Sequence, residues 1–474
     1  MEKESVWSSA SWGRHFGPVW DTKGKQVSML AKRLMANRSK RLFSEPQGRG
    51  NYFTYKEAIE ILGLDWHDIY KEGYLTPDPD KFLDMGYMYS LQGPPNSAIE
   101  AMREKLNAET VSPYPPDLIF DLREIAAQRK FKRSRSPEFE VMGVEGAQGG
   151  IGFTFLSFLN EGDEVIITDP GYMHFRPGPN VEGAVVRPIA LTKENNYRLD
   201  PDEFRENITL RTKMVIVCDP INPFGTVQSK ESLIEIAKIA KEHDIIVFNN
   251  ITHGTHQTNP NAMHYPMTSL FDECDVDHVI STSGMSKGYG LAGLRIGFLS
   301  GHPDLLKAPA MLRMEVTKTH IQLLGQYGAL AALGDEEYIR HTTQNIRRNF
   351  SHLKETIEMT KGVSLPVEPD YGFCTIIDVV DTGVSAQELT VALFKFNIAV
   401  IPGDALGDVG TTRYLRLNYS TNKIEQLDKF REVLPLAIDD AKKGIYRDDV
   451  IKWFKQKDNY RAKRIVKELS KGFT

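Results

Sequence analysis

Between about residues 139 and 300 the chain alternates short, nearly all-apolar runs with stretches whose apolar residues recur at helical spacing. Phe139-Glu-Val-Met-Gly-Val, Glu164-Val-Ile-Ile-Thr, Ala184-Val-Val-Arg-Pro-Ile, Lys213-Met-Val-Ile-Val, Ile245-Ile-Val-Phe, His278-Val-Ile-Ser and Arg295-Ile-Gly-Phe-Leu predict seven strands. Ser232-Leu-Ile-Glu-Ile-Ala-Lys-Ile-Ala-Lys predicts one of the helices between them. Strands apolar along their whole length have no face to offer to water. The pattern therefore implies a mostly parallel sheet covered by helices on both sides, an α/β fold. In such sheets ligands bind beyond the carboxyl ends of the strands.

The flanks read differently. Residues 1–75 are polar yet hold Trp7, Trp12, Trp20 and Trp66, four of the five tryptophans. So many large aromatics imply that this extension packs on the protein's body or on a second subunit. Residues 29–36 and Tyr55-Lys-Glu-Ala-Ile-Glu-Ile-Leu are its candidate helices. Residues 76–125 carry a glycine-bearing strand, Phe82-Leu-Asp-Met-Gly86, and a Pro-rich turn, Gly93-Pro-Pro, opening a helix. A large domain is expected over 126–330. A helical pattern from Arg313 to about Lys361, broken at Gly334, leads into a smaller α/β domain over 331–440. That domain's strands are Gly372-Phe-Cys-Thr-Ile-Ile-Asp-Val-Val, Ile398-Ala-Val-Ile-Pro-Gly and Tyr414-Leu-Arg-Leu-Asn-Tyr. Residues 441–474, where Lys and Arg outnumber Asp and Glu eleven to four, form a basic helical tail. It is either a solvated helix with one apolar stripe or an arm for an anion or partner.

Composition narrows the function. A net charge of −5 argues against a general nucleic-acid binder, and no apolar run is long enough to cross a membrane. The first residues lack the basic-then-apolar layout of a signal peptide, so a cytoplasmic enzyme is expected. Cys218, Cys274 and Cys374 are too few and too scattered for a disulfide framework or a zinc site. His253 and His256 have no evident third ligand, so no metal is expected.

The candidate chemistry centres on Ser281-Thr-Ser-Gly-Met-Ser-Lys-Gly-Tyr-Gly-Leu-Ala-Gly-Leu-Arg-Ile-Gly. Small residues there let a flat ligand approach the backbone and leave Lys287 as the reactive group. A lysine among apolar neighbours has a lowered pKa and can attack a carbonyl to form a Schiff base. Arg295 supplies a fixed charge for an anionic group such as phosphate. Upstream, Gly146-Ala147-Gln148-Gly-Gly follows a strand and opens a helix, where unpaired N–H groups bind phosphate. Asp169-Pro-Gly-Tyr172, Asp219-Pro-Ile-Asn222-Pro-Phe-Gly and Tyr414-Leu-Arg416-Leu complete the set.

In this order and spacing, over about residues 80–435, the motifs closely resemble those of the class I/II aminotransferases, enzymes of fold type I that use pyridoxal 5'-phosphate. The resemblance implies a large domain with a mostly parallel seven-stranded sheet, a smaller α/β domain, and a homodimer with shared active sites. It implies that Lys287 is the catalytic lysine and that Ala147, Gln148, Tyr172, Asn222, Ser286 and Arg295 contact the cofactor. Arg416 would grip a substrate carboxylate, with Gly86 near the entrance. Tyr114, in Ser112-Pro-Tyr-Pro-Pro-Asp, would reach the neighbouring subunit's phosphate, although the family's glycine is missing from that segment.

One position departs from the family. Its aspartate, which pairs with the protonated ring nitrogen, falls at Asn250, or at Asn249 after a slip of one; neither is an acid. The following tyrosine is replaced by His253. An amide carries no charge, so the ring is expected to be a weaker electron sink. Amino transfer to or from an α-amino acid is the leading expectation. Elimination, replacement, cyclisation or oxidation on the same scaffold is the alternative, and a weakened cofactor-binding homologue is a third.

Overall fold

The computed structural model describes residues 36–41, 55–64, 81–86, 90–132, 141–318, 320–421, 423–457 and 460–471. The four N-terminal tryptophans and residues 29–35 of the first candidate helix lie outside these.

The large sheet contains β1 (Val141–Glu145), β2 (Glu164–Asp169), β3 (Val185–Ala190), β4 (Thr212–Cys218), β5 (Ile246–Asn250), β6 (Val279–Gly284) and β7 (Ile296–Gly301). Their order is β1-β7-β6-β5-β4-β2-β3. Only β7 runs against the rest, antiparallel to both β1 and β6. Seven mostly parallel strands are thus present where the apolar runs predict them. Alternation along each strand feeds two cores. Met214, Ile216 and Phe248 pack toward α1 (Gly146–Phe158), whereas Val215, Val217 and Val247 pack toward α2 (Lys230–Glu242). Both faces are covered, and this is why the strands carry no polar face.

After β7 come α3 (Pro303–Thr317), α4 (Leu323–Gly334) and the long α5 (Glu336–Met359). The break at Gly334 falls where the sequence puts it. A second break follows α3, where Lys318 turns left-handed at φ +56°. The second sheet holds β8 (Cys374–Asp378), β9 (Ile401–Pro402) and β10 (Tyr414–Asn418) in the order β9-β10-β8. The run from Ile398 does not form one strand. Ile398–Ala399 pairs in parallel with Leu83–Asp84, and Ile401–Pro402 pairs antiparallel with β10.

The second core draws in segments from both flanks of the chain. The helix Tyr55–Leu62 buries Ala58 and Ile59 against it. From the C-terminal side, α6 (Arg447–Lys455) and α7 (Tyr460–Ser470) bury Val450, Trp453, Phe454, Ala462, Ile465 and Leu469. The tail's apolar stripe is therefore a docking face on the domain. The tail also clamps a loop. In α7, Arg461 donates to the Gly407 carbonyl at 2.8 Å, and Glu468 accepts from the Thr412 hydroxyl at 3.0 Å. On the loop's other side, the Asp169 carboxylate at the end of β2 accepts from the N–H groups of Asp408 (2.9 Å) and Val409 (3.2 Å). A Cβ on Gly407 would lie 1.8 Å from Asp169 Oδ1, so the clamp closes only around glycine.

Candidate active site

A cleft of about 260 Å³ lies at the carboxyl edge of the large sheet. β1 ends at Glu145, and α1 begins at once through Gly146, at φ +67°. No side chain caps this helix, so the N–H groups of its first turn open toward the cleft wall formed by Ala147 and Gln148. Because β7 runs backwards, Arg295 at its start falls at the same edge. Its guanidinium donates to the carbonyls of Glu145 (3.2 Å) and Ala292 (2.9 Å). A Cβ on Gly146 would sit 2.4 Å from that guanidinium and would displace it, and the positive φ itself favours glycine there. Ser286 completes this anion-seeking wall.

Lys287 follows β6 and lines the cleft. Burial, then the charges of Arg416 and Arg295, hold its amine down at about 8 from an ordinary 10.5. Tyr172 stands on the opposite branch of the wall and donates from its hydroxyl to Gln148 Oε1 at 3.3 Å. Arg416, buried on β10, donates to Asn222 Oδ1 at 3.3 Å and to the Gly86 carbonyl at 2.8 Å. Three segments distant in sequence thereby meet beside the cleft.

The strand pleat decides between the two asparagines. Asn249 faces α2, where its oxygen accepts from Met267 N–H (3.0 Å) and the Ser281 hydroxyl (3.1 Å). Asn250 faces the cleft, and its oxygen accepts from the N–H (3.0 Å) and hydroxyl (2.5 Å) of Thr252. His253 also lines the cleft; burial, then Lys287 and Arg416, push it down to about 3, so it is neutral. Its Nδ1 is buried without a partner. An orphaned N–H costs more than an orphaned lone pair, so the proton belongs on Nε2. His256 points elsewhere, to the Gly288 carbonyl (2.8 Å) and the Thr343 hydroxyl (3.0 Å). Among the described residues no three His, Cys, Asp or Glu side chains converge.

Tyr114 is 88% exposed and does not line the cleft of its own chain. Sequence reasoning missed Ile151, His174, Cys218 and Thr252, which do. Cys218 is Asn250's neighbour across the sheet, and burial pushes its thiol up to about 12, so it stays protonated. Thr252 had a signal, since asparagine commonly bonds the backbone two residues on. Among the described residues no Asp or Glu lines the cleft, and those that do are positive or neutral.

The family description "Aminotransferase class I and II" matches residues 83–434. An aspartate aminotransferase of Bacillus sp. (strain YM-2) is 30% identical over 397 residues, covering 79% of this chain and 92% of the relative. One from Pyrococcus abyssi is 29% identical over 331 residues, covering 68% and 84%. Among solved structures, an aromatic aminotransferase from Pyrococcus horikoshii superposes with a TM-score of 0.70 at 25% identity, covering 76% of this chain and 96% of that one. No helix among the described residues is long and apolar enough to cross a membrane.

Proposed function

The chain belongs to the class I and II aminotransferase family, and from that premise we propose that it moves amino groups between α-amino acids and α-keto acids using pyridoxal 5'-phosphate held by Lys287. When bound, this cofactor supplies an aldehyde for the amine and an electron-accepting ring that loosens bonds at the substrate's α-carbon. The residues present suit it. The uncapped first turn of α1, Ser286 and Arg295 match a phosphate. Asn222 and neutral His253 offer hydrogen bonds to the ring's oxygen, and Tyr172 offers it a face.

The observation that carries the reading is a lysine amine near neutrality, in one cleft with an anion cradle and within the field of a buried arginine. Lys287, once released, is placed to carry the α-proton as a general base. Arg416 has the fork geometry to take a substrate carboxylate, exchanging its present partners for it. Tyr114 is exposed as expected of a residue that reaches a neighbouring subunit's phosphate in a cytoplasmic homodimer. The named relatives are aspartate and aromatic aminotransferases, which favours amino transfer over elimination, cyclisation or oxidation and makes those amino acids the first to try. Borohydride reduction and peptide mapping test the core of the reading: the label should fall on Lys287, and turnover should require an α-keto acid acceptor. A label on another lysine sinks it.

A further inference from the structure

We infer that Asn250, pinned by Thr252, is a fixed hydrogen-bond donor that holds the cofactor's ring nitrogen in its unprotonated form; this rests on the reading of the cleft as a pyridoxal phosphate site. A side-chain amide has two ends of opposite character, and which end faces a ligand decides what it recognises. Here the surroundings decide it. The backbone N–H of Thr252 lies 3.0 Å from Asn250 Oδ1, and a backbone N–H can only donate. The atom facing it must therefore be the carbonyl oxygen. The Thr252 hydroxyl, at 2.5 Å, adds a second donor to the same oxygen. Rotating the amide would set its NH₂ against that N–H, two donors face to face in a buried place, so the backbone N–H alone fixes the orientation, the hydroxyl being able to accept as well as donate. The NH₂ group is thus the end left for the cleft.

A pyridine nitrogen can meet an NH₂ donor only through its lone pair. If it carried a proton, two N–H groups would confront one another. The rest of the cleft points the same way. A protonated ring nitrogen gains from an adjacent anion, but no carboxylate among the described residues lines this cleft, and the Cys218 thiol beside Asn250 stays protonated. Arg295 and Arg416, the fixed positive charges around Lys287, oppose another. His253 is neutral. By withholding the anion, the protein weakens the electron demand placed on the substrate's α-carbon. The strength of the ring is set here by residues of the chain, through a lock at position 252 that also keeps Asn250 from acting as an acceptor.

The experiment uses the full chain loaded with pyridoxal 5'-phosphate carrying nitrogen-15 in the ring, read by NMR at pH 7.5. Free cofactor in alkali and in acid provides the two reference positions. The wild-type resonance should lie at the unprotonated position, and Asn250→Asp should move it to the protonated one. A protonated signal in wild type, or an identical signal in both proteins, overturns the inference while leaving the site intact. Failure of the wild-type protein to bind the labelled cofactor overturns both the inference and the reading beneath it. The wild-type spectrum is decisive even if Asn250→Asp fails to fold.

Discussion

Lys287 must lose a proton before its amine can capture an aldehyde, so the pH at which the cofactor-free protein loads is set by the forces acting on that amine. With its pKa at about 8, roughly one quarter of the amine is neutral at pH 7.5, against about one in a thousand for an ordinary lysine. The cleft thus raises the reactive fraction by about two hundredfold at that pH. Burial is the first cause and Arg416 the second. Arg416→Gln removes the charge while keeping an amide able to donate to the Gly86 carbonyl. The loading rate, followed by absorbance after mixing with pyridoxal 5'-phosphate, should rise with pH and level off just above 8 in wild type. In Arg416→Gln the plateau should begin at higher pH, still below 10.5 because burial remains, and loading at pH 7.5 should slow. A wild-type rate that climbs tenfold per unit through pH 10 would refute the argument, and so would identical profiles for the two proteins.

Acid should destabilise the fold. His253, His256 and His264 are pushed down to about 3, 4 and 3 by burial, so their neutral forms contribute stability above 6.5 that is lost as pH falls. Asp219, pushed up to about 8 by burial, works in the opposite sense, its stabilising protonated form being retained on acidification. Averaged over pH 6.5 to 5.5, the unfolded chain then binds about one more proton than the folded one, a loss of about 1–2 kcal/mol that urea unfolding at the two values measures. For the tail, Arg447 donates to the fully buried Glu388 at 2.9 Å; Glu388 also closes the capping box of the helix Ala386–Lys395. Arg447→Ala should cost about 1–3 kcal/mol, since it strands a buried carboxylate whose partner is itself partly exposed. An unchanged urea midpoint would show that the tail does not brace this domain.

Much of this could be read from the sequence because a buried parallel sheet leaves a blunt signature: all-apolar runs cut by helices. The glycine-flanked lysine and the strand-end motifs were legible for a related reason, as each must sit where a strand stops. The pairing of short strands was not legible. Nothing in Ile398-Ala-Val-Ile-Pro says that its halves join different sheets, because the choice depends on Leu83–Asp84, more than three hundred residues away. The apolar stripe of the tail was visible, but its destination was not. The choice between Asn249 and Asn250 needed the pleat, and the role of Thr252 needed the direction of one N–H bond. The lack of a carboxylate among the described residues of the cleft is a property of assembly, invisible until the segments are brought together.

The loop holding Gly407 is gripped from below by Asp169, the strand-end residue that leads into the Tyr172 wall, and from above by the last helix. For anyone purifying or immobilising the protein, this makes the end of the last helix a sensitive place for a handle. A bulky fusion or surface linkage behind α7 would pull on a helix whose hydrogen bonds run through one loop to the wall of the cleft. A handle of that kind could lower occupancy by the cofactor while leaving the fold intact, and a weakly yellow preparation would then report on the handle, not on the enzyme.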